Sequence, residues 1–494
     1  MATEPTADNP DTEASTSAIE PTATSIRHHA LDQVRAVAML LGVVYHSILF
    51  RMFVGAGGPP GPMAVADGSR WLSDWLHNFR MPLFFLISGF FGRMMLQKYG
   101  MRDYLRKRWR RIAVPLFVGI FSFSPLYIIA REMVGGPGPG GFGAGPPPGM
   151  TGPPPGMASF GRPPIRPRPP GPLPSVEGPG GFQPPPGGPM PGPFGVTEVR
   201  LSDRLFGGFS HYFDLHHLWF LWYLLVFATV APGVARVAAA LLSRSEVGAL
   251  DRIGKNIVRW GLAPILFGLM AGPTLMLSPG PFGWSLGLSP SIFRGFPDFL
   301  LHLDREMMFY FLFFLWGWWL HREREALPAL GQTWLPSLLM GLIAFATSTA
   351  LSNAYASRPD LPGYAGIRVC GYTLYGLASA LISAGFLGAF LRYLDRTSRA
   401  WRYLADTALW VYLIHQPLVV IGLALFQPLH LVWWARTAAV SLLATATALL
   451  LYEAVVRPTP LVRLFGPASP GRAAETPRLI STNRSPEIEP AARP

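Results

Sequence analysis

The stretch LDQVRAVAMLLGVVYHSILF (residues 31–50) is long and apolar enough to cross a membrane, yet it contains Asp32, Arg35 and His46. A membrane-spanning helix needs about 20 mostly apolar residues. An arginine inside such a helix costs about 2.5–3.5 kcal/mol on insertion scales, and ionisable residues there usually face the protein interior and pair with other groups. We therefore expect the polar residues of this stretch to face a cavity lined by the protein.

The whole chain has the composition of a membrane protein. Of its 494 residues, 50% are hydrophobic and 14% are charged, and the apolar residues form runs of about 20. The sequence predicts an all-α polytopic integral membrane protein with about ten transmembrane helices and both termini in the cytoplasm. We place these helices near residues 31–50, 78–97, 112–131, from 216 onward, 260–278, 306–321, 334–353, 369–391, 408–426 and 431–455.

The basic residues indicate how the chain is oriented. The net charge is +13, and Lys and Arg cluster in short loops beside the apolar runs, above all in KYGMRDYLRKRWRR (98–111). Short basic loops stay in the cytoplasm, so the charge reports topology and we expect no nucleic-acid partner. The single cysteine, Cys370, excludes an internal disulfide and a cysteine-based zinc site.

Three segments differ from the apolar domain in composition. We expect disordered cytoplasmic tails at 1–26 and 467–494, and a disordered extracytoplasmic insertion at 135–195, where Gly and Pro dominate and GPPPGM occurs twice. The predicted transmembrane domain is residues 27–466. The insertion either contacts an external partner or is a tolerated loop expansion, and the second explanation is the simpler one.

Arg35 and His46 are eleven residues apart, which places them on one face of a helix and roughly 16 Å apart along its axis. An unperturbed histidine has a pKa near 6.5 and can accept a proton at physiological pH. Two simpler explanations stay open. The Arg35 side chain can reach the cytoplasmic surface from its place one turn inside the helix, and a single membrane histidine often only bonds a neighbouring helix.

The pattern LDxxRxxAxLLxVxxH formed by residues 31–46 resembles the opening motif of the membrane-bound acyltransferase-3 family, whose members have an arginine and a histidine in this register. The resemblance continues through FRMPLFFLISGFF (79–91), RWRRIAVPLF (108–117) and VYLIHQPLVV (411–420), and it covers about residues 27–466. Arg108 and Arg111 match the RxxR element. HLWFLWYLLVF (217–227) is most similar to the glucan biosynthesis protein C branch, whose members are implicated in succinylating periplasmic glucans. The insertion departs from the family pattern.

This resemblance implies an acyl-CoA-dependent O-acyltransferase. It would move an acetyl or succinyl group from cytoplasmic acetyl-CoA or succinyl-CoA to a hydroxyl of an extracytoplasmic carbohydrate such as a glucan. In this interpretation His46 is the general base and Arg35 holds the pantetheine or thioester region, while Arg108 and Arg111 bind CoA phosphates. Direct transfer and a covalent acyl-histidine both fit the sequence. Without CoA, the two arginines of RxxR would serve only as cytoplasmic anchors.

Other polar residues receive other interpretations. We assign Gly89 to close packing of helices. His415 matches a late family motif, and we place it near the cytoplasmic side in a structural or donor-side role. His211, His216 and His217 are expected at the outer mouth, without convincing carboxylate partners, and we expect no metal.

The competing hypothesis is a polytopic transporter or flippase for a polar substrate, in which the intramembrane Arg35 and His46 would form a substrate or proton pathway. The RxxR element favours the acyltransferase, because a carrier needs no site for CoA. The resemblance implies the bacterial inner (cytoplasmic) membrane, with the bilayer, acyl-CoA and a carbohydrate acceptor as partners. The sequence leaves open which acyl group is transferred, which acceptor is used and which oligomeric state the protein adopts.

Overall fold

The computed structural model describes residues 29–51, 68–134, 205–277, 296–301, 306–324, 327–355, 358, 360–394 and 398–466. These residues form helices and turns and contain no β-strand. The predicted all-α class is confirmed for this part of the chain. The predicted tails and the Gly/Pro-rich insertion lie outside the described residues.

The described helices follow one another along the chain as fourteen α-helices. They are α1 His29–Arg51, α2 Ser69–Val118, α3 Ser124–Met133, α4 Trp219–Leu241, α5 Arg244–Arg259, α6 Ala263–Thr274, α7 Asp298–Leu301, α8 Glu306–Arg322, α9 Leu327–Gln332, α10 Trp334–Tyr355, α11 Tyr364–Tyr393, α12 Arg399–Phe426, α13 Trp433–Leu451 and α14 Val462–Phe465. Short π-helical turns, Gly119–Phe123 and Tyr452–Val456, extend α2 and α13.

Seven helical segments among the described residues are long and apolar enough to cross a membrane. They are His29–Arg51, Ser69–Met133, His216–Leu241, Trp334–Tyr355, Tyr364–Tyr393, Arg399–Leu429 and Trp433–Val456. Ala263–Leu277 is apolar but shorter, and α8 has 17 residues. The chain is therefore a multi-pass membrane protein. The number of ten spans and the orientation of the termini stay predictions.

The predicted second and third spans lie within one helical segment, Ser69–Met133. At Gly100 the backbone leaves helical geometry, with φ 72° and ψ 173°, so α2 consists of two parts that meet there. Positive φ is costly for residues with a Cβ, which explains the glycine. The basic stretch 98–111 is helical rather than a loop, apart from Gly100, so Arg108 and Arg111 lie about one turn apart.

Glycines let the helices approach closely at their crossings. A Cβ at Gly89 in α2 would overlap the carbonyl oxygen of Phe314 in α8, and a Cβ at Gly317 would overlap the carbonyl oxygen of Leu86. Small residues at such crossings bring two backbones together, so the packing role predicted for Gly89 is confirmed. The α2–α8 pair lies beside α1, which packs against α2, α12 and α13. Polar side chains from α1, α2 and α12 meet in this region.

Candidate functional site

A chain of hydrogen bonds joins α1 to α12 inside the protein. The Nδ1 atom of His46 lies 3.0 Å from Nε2 of His415 and 2.9 Å from the carbonyl oxygen of Gly42. The Nδ1 atom of His415 lies 2.6 Å from the carbonyl oxygen of Tyr412. His46 is 9% exposed and His415 is 3% exposed, so the protein shields both rings from solvent.

This geometry determines where the hydrogens lie when both rings are neutral. A carbonyl oxygen only accepts, so Nδ1 of His415 carries a hydrogen and donates it to Tyr412. The Nε2 atom of His415 is then an acceptor, and Nδ1 of His46 carries the hydrogen that it shares between His415 and Gly42. The Nε2 atom of His46 is left with a free lone pair, which is the form that a general base needs.

A third histidine completes the group of rings. His217, immediately before α4, has its ring centroid 5.1 Å from that of His415 and 6.5 Å from that of His46. The Tyr412 hydroxyl donates to the backbone carbonyl of His217 and so ties α12 to this turn. The His217 ring is buried beside the side chain of Gln416, with which it interacts.

Buried polar groups with unfilled hydrogen bonds gather around His46. The Tyr45 ring lies 4.9 Å from the His46 ring and 5.2 Å from the ring of His77, whose two nitrogens have no hydrogen-bond partner among the described residues. The Nε atom of Arg80 is also buried without a hydrogen bond to a described residue. Native proteins fill nearly all buried hydrogen bonds, so water or a polar ligand is needed to complete those of this region. We call this region, with His46, His77, Arg80, His217, Tyr412 and His415, the histidine chamber.

Three arginines gather near the other end of α1. The Nη2 atom of Arg35 donates to the carbonyl oxygen of Ala405, 3.2 Å away, and lies 3.5 Å from Oδ1 of Asp32. The Nη2 atom of Arg111 donates to the carbonyl oxygen of Gly466 at 2.9 Å. Arg108 is half-buried and has two nitrogens, Nε and Nη2, without a hydrogen bond to a described residue.

These three guanidinium groups are close enough to repel each other. Arg108 interacts with Arg35, and Arg111 interacts with both of them. Asp32 and Asp406 supply negative charge nearby. Three positive charges against two negative ones leave an excess that an anion would neutralise. We call Arg35, Arg108 and Arg111 the arginine cluster.

The structure corrects one placement and reveals one omission. The sequence predicts His415 near the same end of the helices as Arg108 and Arg111, whereas its Nε2 atom lies 3.0 Å from Nδ1 of His46. The predicted span starts near residue 408, but α12 begins at Arg399, which places His415 about 24 Å along the helix. Arg80 is absent from the predicted site residues but lies in the same buried region, with its guanidinium over the Tyr45 ring. A charge inside the apolar run FRMPLFFLISGFF was the signal, by the same argument that drew attention to Arg35.

The histidines predicted at the outer mouth separate in the structure. His217 joins the chamber, whereas the ring of His216 packs against Tyr127 at 4.9 Å. The side chain of His211 lies outside what the structure describes. Within the described ranges, no three His, Cys, Asp or Glu side chains are arranged to hold a metal ion.

Comparisons with known proteins add a family and a set of relatives. The family profile described as "Acyltransferase domain", of the acyltransferase-3 type, matches residues 28–453. Glucans biosynthesis protein C of Escherichia coli strain K12, and that of strain SMS-3-5, are each 31% identical to this chain over 114 residues. That match covers 22% of the chain and 28% of each relative, so the chain spans under a third of their length. No solved structure matches.

Proposed function

This chain belongs to the acyltransferase-3 family, and from that premise we propose that it is an acyl-CoA-dependent O-acyltransferase. It takes an acyl group from cytoplasmic acyl-CoA and transfers it to a hydroxyl of a carbohydrate on the other side of the membrane. The observation that carries the proposal is the hydrogen-bond chain from Tyr412 through His415 to His46, because it leaves Nε2 of His46 as a base inside an apolar helix.

The arginine cluster supports binding of the CoA end of the donor. Guanidinium groups form charge-assisted hydrogen bonds with phosphates, and their fork of donors suits phosphate oxygens. The unfilled Nε and Nη2 of Arg108 are available for such bonds. Phosphate groups would also relieve the mutual repulsion of the three arginines. Arg35 lies on α1 and would contact the part of the donor that enters the protein.

The length of the donor fits the distance between the two sites. Arg35 and His46 are roughly 16 Å apart along the axis of α1, since each residue of a helix rises about 1.5 Å. The phosphopantetheine arm is an extended, peptide-like chain, and about four to five residue equivalents of such a chain reach about 15 Å. A donor held at the arginine cluster would therefore present its thioester near His46.

Transfer then needs one base. The hydroxyl oxygen of the acceptor attacks the thioester carbonyl carbon while Nε2 of His46 takes the hydroxyl proton. The carbon–sulfur bond breaks, and His46 returns the proton to the departing CoA thiolate. During this step Nδ1 of His46 keeps its bonds to Gly42 and His415, which stabilise the positive ring and hold its orientation. We propose direct transfer, because one base is sufficient for it and no acyl-enzyme has to form.

The topology follows from the side on which acyl-CoA is found. We propose that the arginine cluster faces the cytoplasm, that both termini lie there, and that the chain crosses a bacterial inner membrane about ten times. The acyltransferase domain would comprise residues 27–466, with tails at 1–26 and 467–494 and an extracytoplasmic insertion at 135–195. His46 would receive the acyl donor from the cytoplasmic side and serve an acceptor on the other side of the membrane. This reaction requires a protein that spans the bilayer.

The acceptor we propose is a glucan or another surface carbohydrate. The name of the Escherichia coli relatives, glucans biosynthesis protein C, supports this choice, although the similarity covers 28% of their length. Acetyl and succinyl groups share the CoA part of the donor, so the arginine cluster accepts both. The transporter hypothesis explains the buried polar groups but gives no reason for an arginine cluster one pantetheine length from a histidine base.

The test is reconstitution of the full chain in liposomes with acetyl-CoA or succinyl-CoA and a mixed glucan acceptor. CoA release and acceptor acylation are measured for the parent, for His46→Ala and for His430→Asn. His430 is exposed and has φ 46°, a conformation that asparagine tolerates, so this variant is the matched control. We expect His46→Ala to lose at least about 10²-fold in rate and the control to match the parent.

Equal transfer by His46→Ala and the parent, with equal membrane insertion, would show that the base lies elsewhere. If the parent transfers neither acyl group, the acyltransferase proposal fails and the transporter hypothesis replaces it. A burst of CoA release without acceptor, equal in amount to the enzyme, would replace direct transfer by a covalent acyl-enzyme.

A further inference from the structure

Arg80 is a buried cation that has no acidic partner among the described residues. It lies in the first part of α2, within the apolar run, and is 6% exposed. None of its nitrogens forms a hydrogen bond or ion pair with a described residue, and Nε is fully buried. A buried charge without an opposite charge beside it is strongly destabilising, and intramembrane arginines of this kind mark substrate pathways. Arg80 therefore needs an anion that the described protein does not supply.

The surroundings of Arg80 place it beside the base. Its guanidinium carbon lies 4.9 Å from the centroid of the Tyr45 ring. A Cβ at Gly42 would overlap Nη1 of Arg80, so the glycine provides the space that the guanidinium occupies. The carbonyl oxygen of that same Gly42 accepts from Nδ1 of His46. Arg80 thus lies one turn of α1 from His46, on the side towards Arg35.

The side chains that act directly on the Arg80 charge do not neutralise it, while the carboxyl groups of Asp74 and Glu306 act on the tyrosines around it. Tyr45, Tyr310 and Tyr412 are the polar side chains that interact with it most closely by charge, and phenols are neutral at pH 7 because their usual pKa is near 10. The charge also acts on His46 and His415. A donor that enters from the arginine cluster would reach Arg80 just before it reaches the base.

Building on the proposed function, we propose that Arg80 is a further catalytic residue, which binds the carbonyl oxygen of the acyl thioester and stabilises the negative charge that develops on it. The hydroxyl oxygen of the acceptor forms a bond to the carbonyl carbon, and the carbonyl π electrons move to the oxygen next to Arg80. When this oxyanion collapses, the carbon–sulfur bond breaks, and the CoA thiolate takes the proton held by His46. Charge stabilisation is strong here because the site is buried.

An arginine can also bind a permanent anion, such as the terminal carboxylate of a charged acyl group. The position of Arg80 favours the carbonyl, because the guanidinium lies one helical turn from the base that must act on the same carbon. A carbonyl-binding residue assists every donor, whereas a carboxylate-binding residue assists only charged donors. Binding of the carbonyl oxygen therefore predicts a loss of rate with every donor, and binding of a terminal carboxylate predicts a loss only with donors that carry one.

The experiment uses the full chain in liposomes with acetyl-CoA, which has no terminal carboxylate, and with succinyl-CoA, which has one. The variants are Arg80→Ala, Gly42→Ala, which displaces the guanidinium, and Arg70→Gln as control. Arg70 lies in the same helix, with 56% of its side chain exposed, and makes only a surface ion pair with Asp74. The measurements are kcat and KM for each donor, equilibrium binding of CoA, and the thermal unfolding transition.

We expect Arg80→Ala to lower kcat about 10²–10³-fold with both donors, which is the usual effect of removing an oxyanion donor. CoA binding should change by less than about twofold, since the arginine cluster is intact, and guanidinium ions should restore part of the rate because they fit the space that the side chain leaves. Gly42→Ala should lower kcat about tenfold, and Arg70→Gln should match the parent.

If Arg80→Ala transfers acetyl groups at a rate within about threefold of the parent, the proposal is overturned. A loss of rate confined to succinyl-CoA would also overturn it, because Arg80 would then bind the carboxylate of the donor. If Arg80→Ala does not fold, a folded Gly42→Ala with the parental rate would overturn it equally. Failure of the proposed function is a separate result, because then the parent itself releases no CoA from either donor.

Discussion

The arginine cluster and the histidine chamber lie along the same helix, α1, but they are built differently. The cluster is partly exposed, and its members hold few groups in fixed geometry beyond two backbone carbonyls. In the chamber, His46 and His415 are almost fully buried and joined by a single hydrogen bond of 3.0 Å. The cluster can bind by charge alone, whereas the chamber depends on the direction of individual lone pairs.

The two regions should therefore respond to different changes. Charge attraction varies slowly with distance and is weakened by salt when the charges are exposed. A hydrogen bond fails when its partner is removed, and a buried polar group left unpaired is costly. Substitutions in the chamber should therefore affect the chemical step, and substitutions in the cluster should affect the concentration of donor required.

Among the changes that compare the two regions, the largest effect is expected for His415→Ala. The substitution removes the acceptor for Nδ1 of His46, so the ring loses the contact that directs Nε2, and kcat should fall about 10²-fold with little change in KM. His415→Gln supplies a side-chain oxygen as acceptor and should recover part of this loss. If kcat falls as far in His415→Gln as in His415→Ala, His415 contributes only packing and not a hydrogen-bond acceptor.

The next effect is expected for the double substitution Arg108→Gln with Arg111→Gln. Losing two charge-assisted bonds to phosphate should raise KM for acyl-CoA by about tenfold to 10²-fold and leave kcat within about threefold of the parent. Arg102→Gln, an exposed arginine in the same helical stretch, is the control. A loss of kcat at unchanged KM would contradict the assignment of these residues to donor binding.

A smaller effect should follow from ionic strength. Between about 50 and 300 mM NaCl the Debye length falls to roughly 6 Å, which weakens attraction between phosphates and the partly exposed arginines. KM for acyl-CoA should rise a few-fold, and kcat, which depends on buried groups, should stay constant. A fall in kcat without a rise in KM would contradict the assignment of donor binding to the arginine cluster and of the chemical step to the histidine chamber.

The smallest effect is expected for deletion of residues 140–193 from the Gly/Pro-rich insertion. This segment offers few apolar side chains for packing against the helical domain, so kcat and KM should equal those of the full chain. The deleted protein and the parent are compared at equal amounts inserted in the membrane. Loss of transfer in a normally inserted protein would assign the insertion to acceptor binding.

Most of the helical architecture was predictable because each helix is a local feature. Apolar runs long enough to span a membrane lie in the sequence itself, and the described chain is helical throughout most of these runs. The first residues of the helices were less predictable. Helix α2 begins at Ser69 rather than near residue 78, and α12 begins at Arg399 rather than near residue 408. Polar and charged residues extend a helix beyond its apolar part, and an apolar window cannot detect them.

The common face of Arg35 and His46 follows directly from their spacing, because the helical repeat fixes that relation within α1. The side chains from other helices that surround this face depend on the packing of the whole domain. His46, Arg80 and His415 are far apart in the chain, and they meet because close packing of α1 with α2 and α12 sets how each helix is rotated about its axis. No local pattern records that rotation, so His46 could be proposed from the sequence, whereas its neighbours Arg80 and His415 were visible only in the fold.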